Sequence, residues 1–185
     1  MQLWELFVIA VGLSMDAFAV SICKGLSVQR LRWSHALTAG AGFGAFQALM
    51  PLAGWLLGTR FEGIITSVDH WVAFVLLVLI GGNMVKESRG ACEALDASFA
   101  VRAMLPLAVA TSIDALAVGI TFAFLDVAIL PSAGLIALTT FVLSALGVAL
   151  GSLCGQKLQA HAKALGGGIL ILLGIKILLE HLGVF

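Results

Sequence analysis

Asp16 and Asp114 are the residues of this chain best placed to do chemistry, because each is a carboxylate set inside a long apolar run. Asp16 lies about thirteen residues into the run from Leu3 and Asp114 about ten into the run from Met104. At ~1.5 Å per residue, both fall roughly half way across a bilayer. A charge at that depth costs at least about 2.5–3.5 kcal/mol on insertion scales, so it faces a bundle interior or a watery cavity rather than lipid. The surroundings repeat: Ser14-Met15-Asp16-Ala17-Phe18-Ala19-Val20 is echoed by Ser112-Ile113-Asp114-Ala115-Leu116-Ala117-Val118, an offset of 98 residues. Two carboxylates facing each other in a low dielectric repel, which favours a shared proton or a bound cation. The structural alternative is that each acid is protonated, or bonded to a neighbouring hydroxyl, and only holds helices together. Duplication weighs against it, since a purely structural acid has no reason to be mirrored.

The remaining polar inventory suits a hard or borderline cation. Ser14, Thr111 and Ser112 flank the acids, and Gln47 sits mid-run on a stripe with Gly40, Gly44, Pro51, Gly54 and Gly58. The glycines read as tight helix packing through small residues. Gln47 is large and polar, and reads equally as a ligand or as an interhelical hydrogen bond. Asn83 and Lys176 are weaker candidates. Lys176 could neutralise a carboxylate in the absence of metal, although snorkelling to the surface is the simpler reading. Met15 and Met50 read as packing, and Glu87 and Glu180 as solvated residues near span ends. His35, His70, His161 and His181 all fall near ends, so no mid-span imidazole is on offer. Cys23, Cys92 and Cys154 form no CxxC pair and read as reduced, ordinary thiols. Oxygen ligands from carboxylate, amide and water favour Mg²⁺, Ca²⁺ or Mn²⁺ over Zn²⁺ or Cu⁺, and chemistry alone stops there.

The elements that must position these residues are set by composition. Of 185 residues 61% are hydrophobic and 11% charged, with a mean hydropathy of +1.12. A soluble domain carries about 25% charged residues, so lipid must solvate most of this surface. Zero net charge excludes a basic field for nucleic acid. Six apolar segments, near 3–23, 36–58, 68–87, 104–124, 133–154 and 164–184, approach the ~20 residues needed to cross the hydrocarbon. All are expected as helices, since an open sheet edge in lipid would leave backbone groups unsatisfied. The first lacks a basic flank and a cleavage site and reads as a retained span.

Lys24, Arg30 and Arg32, then Lys86, Arg89 and Arg102, then Lys157 and Lys163 fill alternate loops, whereas the opposite loops offer only Arg60. This asymmetry puts the basic loops in the cytoplasm and both termini outside. The second and fifth spans also align, Gln47-Ala48-Leu49 with Gly54 and Gly58 against Ser144-Ala145-Leu146 with Gly151 and Gly155, an offset of 97. The third and sixth match more loosely, through Gly81 and Glu87 against Gly174 and Glu180. The chain therefore divides into a three-helix repeat over 1–97 and another over 98–185. An odd number of spans per repeat inverts the second, giving a pseudo-two-fold axis in the membrane plane. Such symmetry is frequent in secondary transporters, which bind at the midplane and expose the site alternately. The small-residue stripes are compatible with a monomer or a homodimer.

With SMDAFAVS (14–21), FGAFQALMPLAGWLLG (43–58), IGGNMVKE (80–87) and ATSIDALAVG (110–119), the chain resembles the MntP-type manganese efflux pump family of bacterial inner membranes. The likeness covers essentially the whole chain. It implies a six-spanning exporter of Mn²⁺ from the cytoplasm, within a broader group of small exporters related to the lysine exporters. It also implies that Asp16 and Asp114 are its functional acids, with Gln47 at a position that carries Glu in some relatives. Manganese as the substrate rests on this resemblance, not on spacing. Expelling a cation against an inside-negative potential costs about 2.3 kcal/mol per charge per 100 mV. The sequence has no P-loop, so ion coupling is the simplest source of that energy, with proton antiport through the same carboxylates as the favoured form. Rival readings are export of another cation or small solute, a structural membrane subunit, and an intramembrane aspartyl protease, whose GxGD setting is absent.

Overall fold

In the computed structural model the described residues are 3–28, 32–65, 98–125 and 127–154, with isolated helical positions in 74–86 and 164–179. The expected third and sixth spans, and with them Asn83 and Lys176, therefore lie largely or wholly outside the described residues. Five helices are laid out in order: α1 (Leu3–Ser27), α2 (Trp33–Ile65), α3 (Val101–Ala110), α4 (Ile113–Phe124) and α5 (Ile129–Cys154). No strand occurs among the described residues.

Three of these helices, α1, α2 and α5, are long and apolar enough to cross a membrane. The expected fourth span is not one helix. It is α3 followed by α4, bent by 46° at Thr111–Ser112, and the pair passes the same test together. Local chemistry accounts for the break. Thr111 Oγ1 donates to the Leu107 carbonyl (2.9 Å) and Ser112 Oγ to that of Ala108 (2.5 Å), the back-bonding that bends helices. Pro106, a turn upstream, has no N–H to contribute to the ladder. Beyond the bend, the Ala115 N–H is taken by Asp114 Oδ1 (2.8 Å) instead of by the Thr111 carbonyl.

The helices pack in the order α1, α5, α2, then α3–α4; α1 and α2, neighbours in sequence, barely touch. Glycine makes the close approaches. A methyl group at Gly25 or Gly151 would collide with the main chain of Val148 or Ile22, and one at Gly54 or Gly119 with that of Leu116 or Pro51. At Gly40 and Gly44 it would meet the carbonyls of Phe141 (2.8 Å) and Ala137 (3.0 Å). These registers fix direction. Ser14 meets Thr140 and Ile22 meets Gly151, so α1 and α5 run parallel. Likewise Gln47 meets Thr111 and Gly58 meets Ala123, so α2 and α3–α4 run parallel, whereas α2 and α5 are antiparallel.

The sequence offsets carry contacts onto contacts: Gly40 on Phe141 becomes Ala137 on Gly44, and Gly151 on Ile22 becomes Gly54 on Ile120, and all four are present. The expected packing role of the glycine stripe is seen directly, inside the chain. Two apolar clusters flank the centre, one built on Leu13, Val118, Phe122 and Ile136 and the other on Ala17, Phe43, Ala108 and Val148. Leu3, Trp33, Leu130 and Leu153 lie exposed on the outer surface, where a membrane protein presents apolar side chains to lipid.

Candidate functional site

Gln47 is the centre of the site. It is 0% exposed, and its amide nitrogen donates to the carbonyls of Thr111 (3.0 Å) and Leu13 (3.4 Å). Leu13 and Thr111 are related by the 98-residue offset, so one amide links two offset-related carbonyls, one on α1 and one at the α3–α4 break. The Thr111 carbonyl is free to accept because the α3–α4 break diverts its usual partner. With the nitrogen fixed, the amide oxygen has one orientation, and Gln47 Oε1 is buried with no hydrogen-bond partner. Pro51, four residues on, supplies no N–H to the Gln47 main-chain carbonyl either.

Asp114 sits in the first turn of α4, where the helix dipole favours negative charge. Its Oδ1 caps Ala115, and its Oδ2 is buried without a partner. Asp16, in the continuous α1, lies within electrostatic reach of Asp114. The two acids are therefore neighbours inside the bundle, on elements that do not adjoin in sequence. Buried acceptors left unmatched are rare and call for an explanation. Asp114 Oδ2 and Gln47 Oε1 are oxygens of the kind that hard cations take as ligands.

Of the flanking hydroxyls, Ser14 bonds to the Ala10 carbonyl (2.6 Å) and to Thr140 Oγ1 (2.8 Å). Those of Thr111 and Ser112 donate to carbonyls of α3, keeping lone pairs free. Asn83 lies outside the described residues. Among the buried polar groups that escaped the sequence reading are Thr140 and Ser144 on α5, and Ser21 and Lys24 on α1. Ser144 carried a usable signal, because it is the offset partner of Gln47. Lys24 was read as a loop charge, yet it is 1% exposed. Its ammonium donates to the Ser98 carbonyl (2.9 Å), 5.5 Å from the Phe99 ring centroid. Cys23, expected as a free thiol, is disulfide-bonded; the side chains of Cys92 and Cys154 are not among those described. A cleft of about 500 Å³ between α2 and α3 has Thr38 as its only polar side chain. It is no site for a charge. No group of three or more His, Cys, Asp or Glu exists among the described residues.

Apolar helices around two part-buried acids, each with a buried oxygen, define a multi-pass helical membrane protein with a polar centre. Residues 30–178 match the family described as "Mntp: Putative manganese efflux pump", and the chain belongs to that family. It is 62% identical to "Putative manganese efflux pump MntP" of Desulfitobacterium hafniense, over 97% of this chain and 95% of the relative. The proteins of the same name in Acetivibrio thermocellus and Mannheimia succiniciproducens are 57% and 55% identical. These alignments cover 97% and 98% of this chain, and 92% and 98% of the relatives. No solved structure matches the chain. Membership in a family of pumps sets aside the protease reading.

Proposed function

We propose that this chain exports divalent manganese across a bacterial inner membrane, binding it between Asp16 and Asp114 at the bilayer midplane. The observation that carries the reading is that Asp114, in electrostatic reach of Asp16, and Gln47, bonded to the nearby Thr111 carbonyl, each keep a buried oxygen unmatched. Two negative charges balance one divalent ion, and Gln47 adds a neutral oxygen held by its own amide nitrogen. The hydroxyl oxygens of Ser14, Thr111 and Ser112 complete the neighbourhood, and Asn83 is a further candidate. The family and its relatives supply the metal, as their names state.

The architecture we assign is six spans in two inverted three-helix repeats, 1–97 and 98–185. Two observations support it. Offset-related contacts occur in pairs, and α2 runs parallel to α3–α4. Parallel neighbours in one chain require an odd number of crossings between them, as a span at 68–87 would supply. With the basic loops in the cytoplasm, both termini lie outside. Transport proceeds by alternating access and is ion-coupled, with protons returning through the same carboxylates.

Cellular manganese measured in cells whose exporter is Asp16→Ala or Asp114→Ala tests the site. Accumulation as in cells lacking the protein is expected, and unchanged export would refute it. A panel of metals in growth-sensitivity assays tests the substrate: protection is expected against manganese, and protection against cadmium or a non-metal solute alone would point to a different cargo.

A further inference from the structure

The two seams related by the sequence offsets, α1–α5 and α2–α4, are not alike. On α1, Ser14 is followed at helical spacing by Ser21 and Lys24, and on α5 Thr140 by Ser144, all of them buried. The offset partners of Ser21 and Lys24 are Gly119 and Phe122. Gly119 rests on the main chain of Pro51 and Phe122 is buried in an apolar cluster. Both seams are closed by glycine contacts, but beyond Asp114 the α2–α4 seam has Thr121, bonded to its own helix at the Ala117 carbonyl, whereas beyond Asp16 the α1–α5 seam carries the hydroxyls of Ser144 and Ser21 and ends at an ammonium.

Serine and threonine in membrane helices ordinarily bond a carbonyl one turn back, as Ser112, Thr121 and Ser132 do here. Ser21 and Ser144 do not. Each is 0% exposed, and each Oγ has no hydrogen-bond partner. Their heights follow from the parallel register. Thr140 is bonded to Ser14 and Gly147 lies against Phe18 and Ser21, so Ser144 is level with the turn of α1 that carries Asp16. From the acid toward the C-terminal end of α1 the order is Asp16, Ser144, Ser21, Lys24. Lys24 is held at that end by the Ser98 carbonyl and the Phe99 ring, which also stacks on His35 of α2 (4.6 Å).

We propose that Ser144 and Ser21 line the path along which the cation moves between Asp16 and the Lys24 end of the bundle, and that Lys24 closes this path while it rests on Ser98 and Phe99. The proposal rests on the reading of Asp16 and Asp114 as cation ligands. A hard divalent ion gives up its water reluctantly, and hydroxyl oxygens without another partner replace that water stepwise. The Lys24 side chain is fully buried and fills that end of the seam, so it must swing aside before the ion passes.

Manganese binding to the full-length protein in detergent separates the possibilities, with equilibrium read from the paramagnetic resonance of free Mn²⁺ and rates from stopped-flow mixing with a fluorescent chelator. The Ser21→Ala/Ser144→Ala variant is expected to slow association and dissociation alike by about fivefold or more, leaving affinity within about twofold. Ser144→Ala alone serves if the pair does not fold. Lys24→Gln is expected to speed both rates. Thr121→Ala, on the other seam, leaves them unchanged. Serine variants that exchange Mn²⁺ at wild-type rates, or that lose affinity in step with slower association, overturn the path, and unaltered rates in Lys24→Gln overturn its closing role. Should wild-type protein bind no Mn²⁺, or Asp16→Asn bind it as wild type does, the underlying ligand reading fails instead.

Discussion

At the scale of single residues, Gln47 decides what kind of site this is. A carboxylate in its place could not donate to the carbonyls of Leu13 and Thr111, and a hydrocarbon could neither donate nor accept. Gln47→Leu leaves two buried carbonyls without their donor, and is expected to cost about 1–3 kcal/mol of stability. Thermal unfolding in detergent reads this loss, and manganese export should fall with it. The acids and Gln47 could be read from sequence, since a charge or an amide inside an apolar run has few bland explanations. Lys24 could not. A lysine at the end of an apolar run looks like a loop charge, and only the return of the chain at Ser98 and Phe99, 74 residues away, buries it. Ser144 and Thr140 were hidden for a related reason: a lone hydroxyl in an apolar helix ordinarily bonds its own backbone.

At the scale of elements, glycine placement separates helices that must touch from surface that need not. Gly151→Ala and Gly54→Ala drive a methyl group into the main chain of a neighbouring helix, and should cost about 1–3 kcal/mol each. Gly42→Ala and Gly134→Ala meet nothing within 4 Å, and should stabilise by up to ~1 kcal/mol through helix propensity. Melting temperatures of the four variants check the contrast, and a uniform response would refute the packing. The stripe was legible from its spacing. The break between α3 and α4 was not, because no glycine or proline marks Thr111–Ser112. The bend comes from hydroxyls and an aspartate competing for backbone groups, and sequence alone does not show which partner wins.

At the scale of the whole molecule, the parallel pairings of α1 with α5 and of α2 with α3–α4 constrain how the chain threads the bilayer. The proposed orientation, with both termini outside, predicts that alkaline phosphatase fused after Phe185 is active in the cell, and that the same enzyme inserted between α1 and α2 is not. The opposite pattern would reverse the orientation without touching the pairing of the helices. The offsets were visible as matched words in the sequence, yet the packing was not: nothing in the letters says that α1 leans on α5 and leaves α2 alone. That choice is made by Gly25, Gly147 and Gly151, whose fit to the main chain of α5 or α1 exists only in three dimensions.

The amide of Gln47 has two hydrogens, and one goes to α1 and the other to the α3–α4 break. A strut so short has no slack: if α1 and the α3–α4 break part by even about an ångström or two, one of its ends must let go. On the proposed alternating access, each opening of the centre would snap this bridge and each closing remake it, so its strength would set how long the two segments stay together.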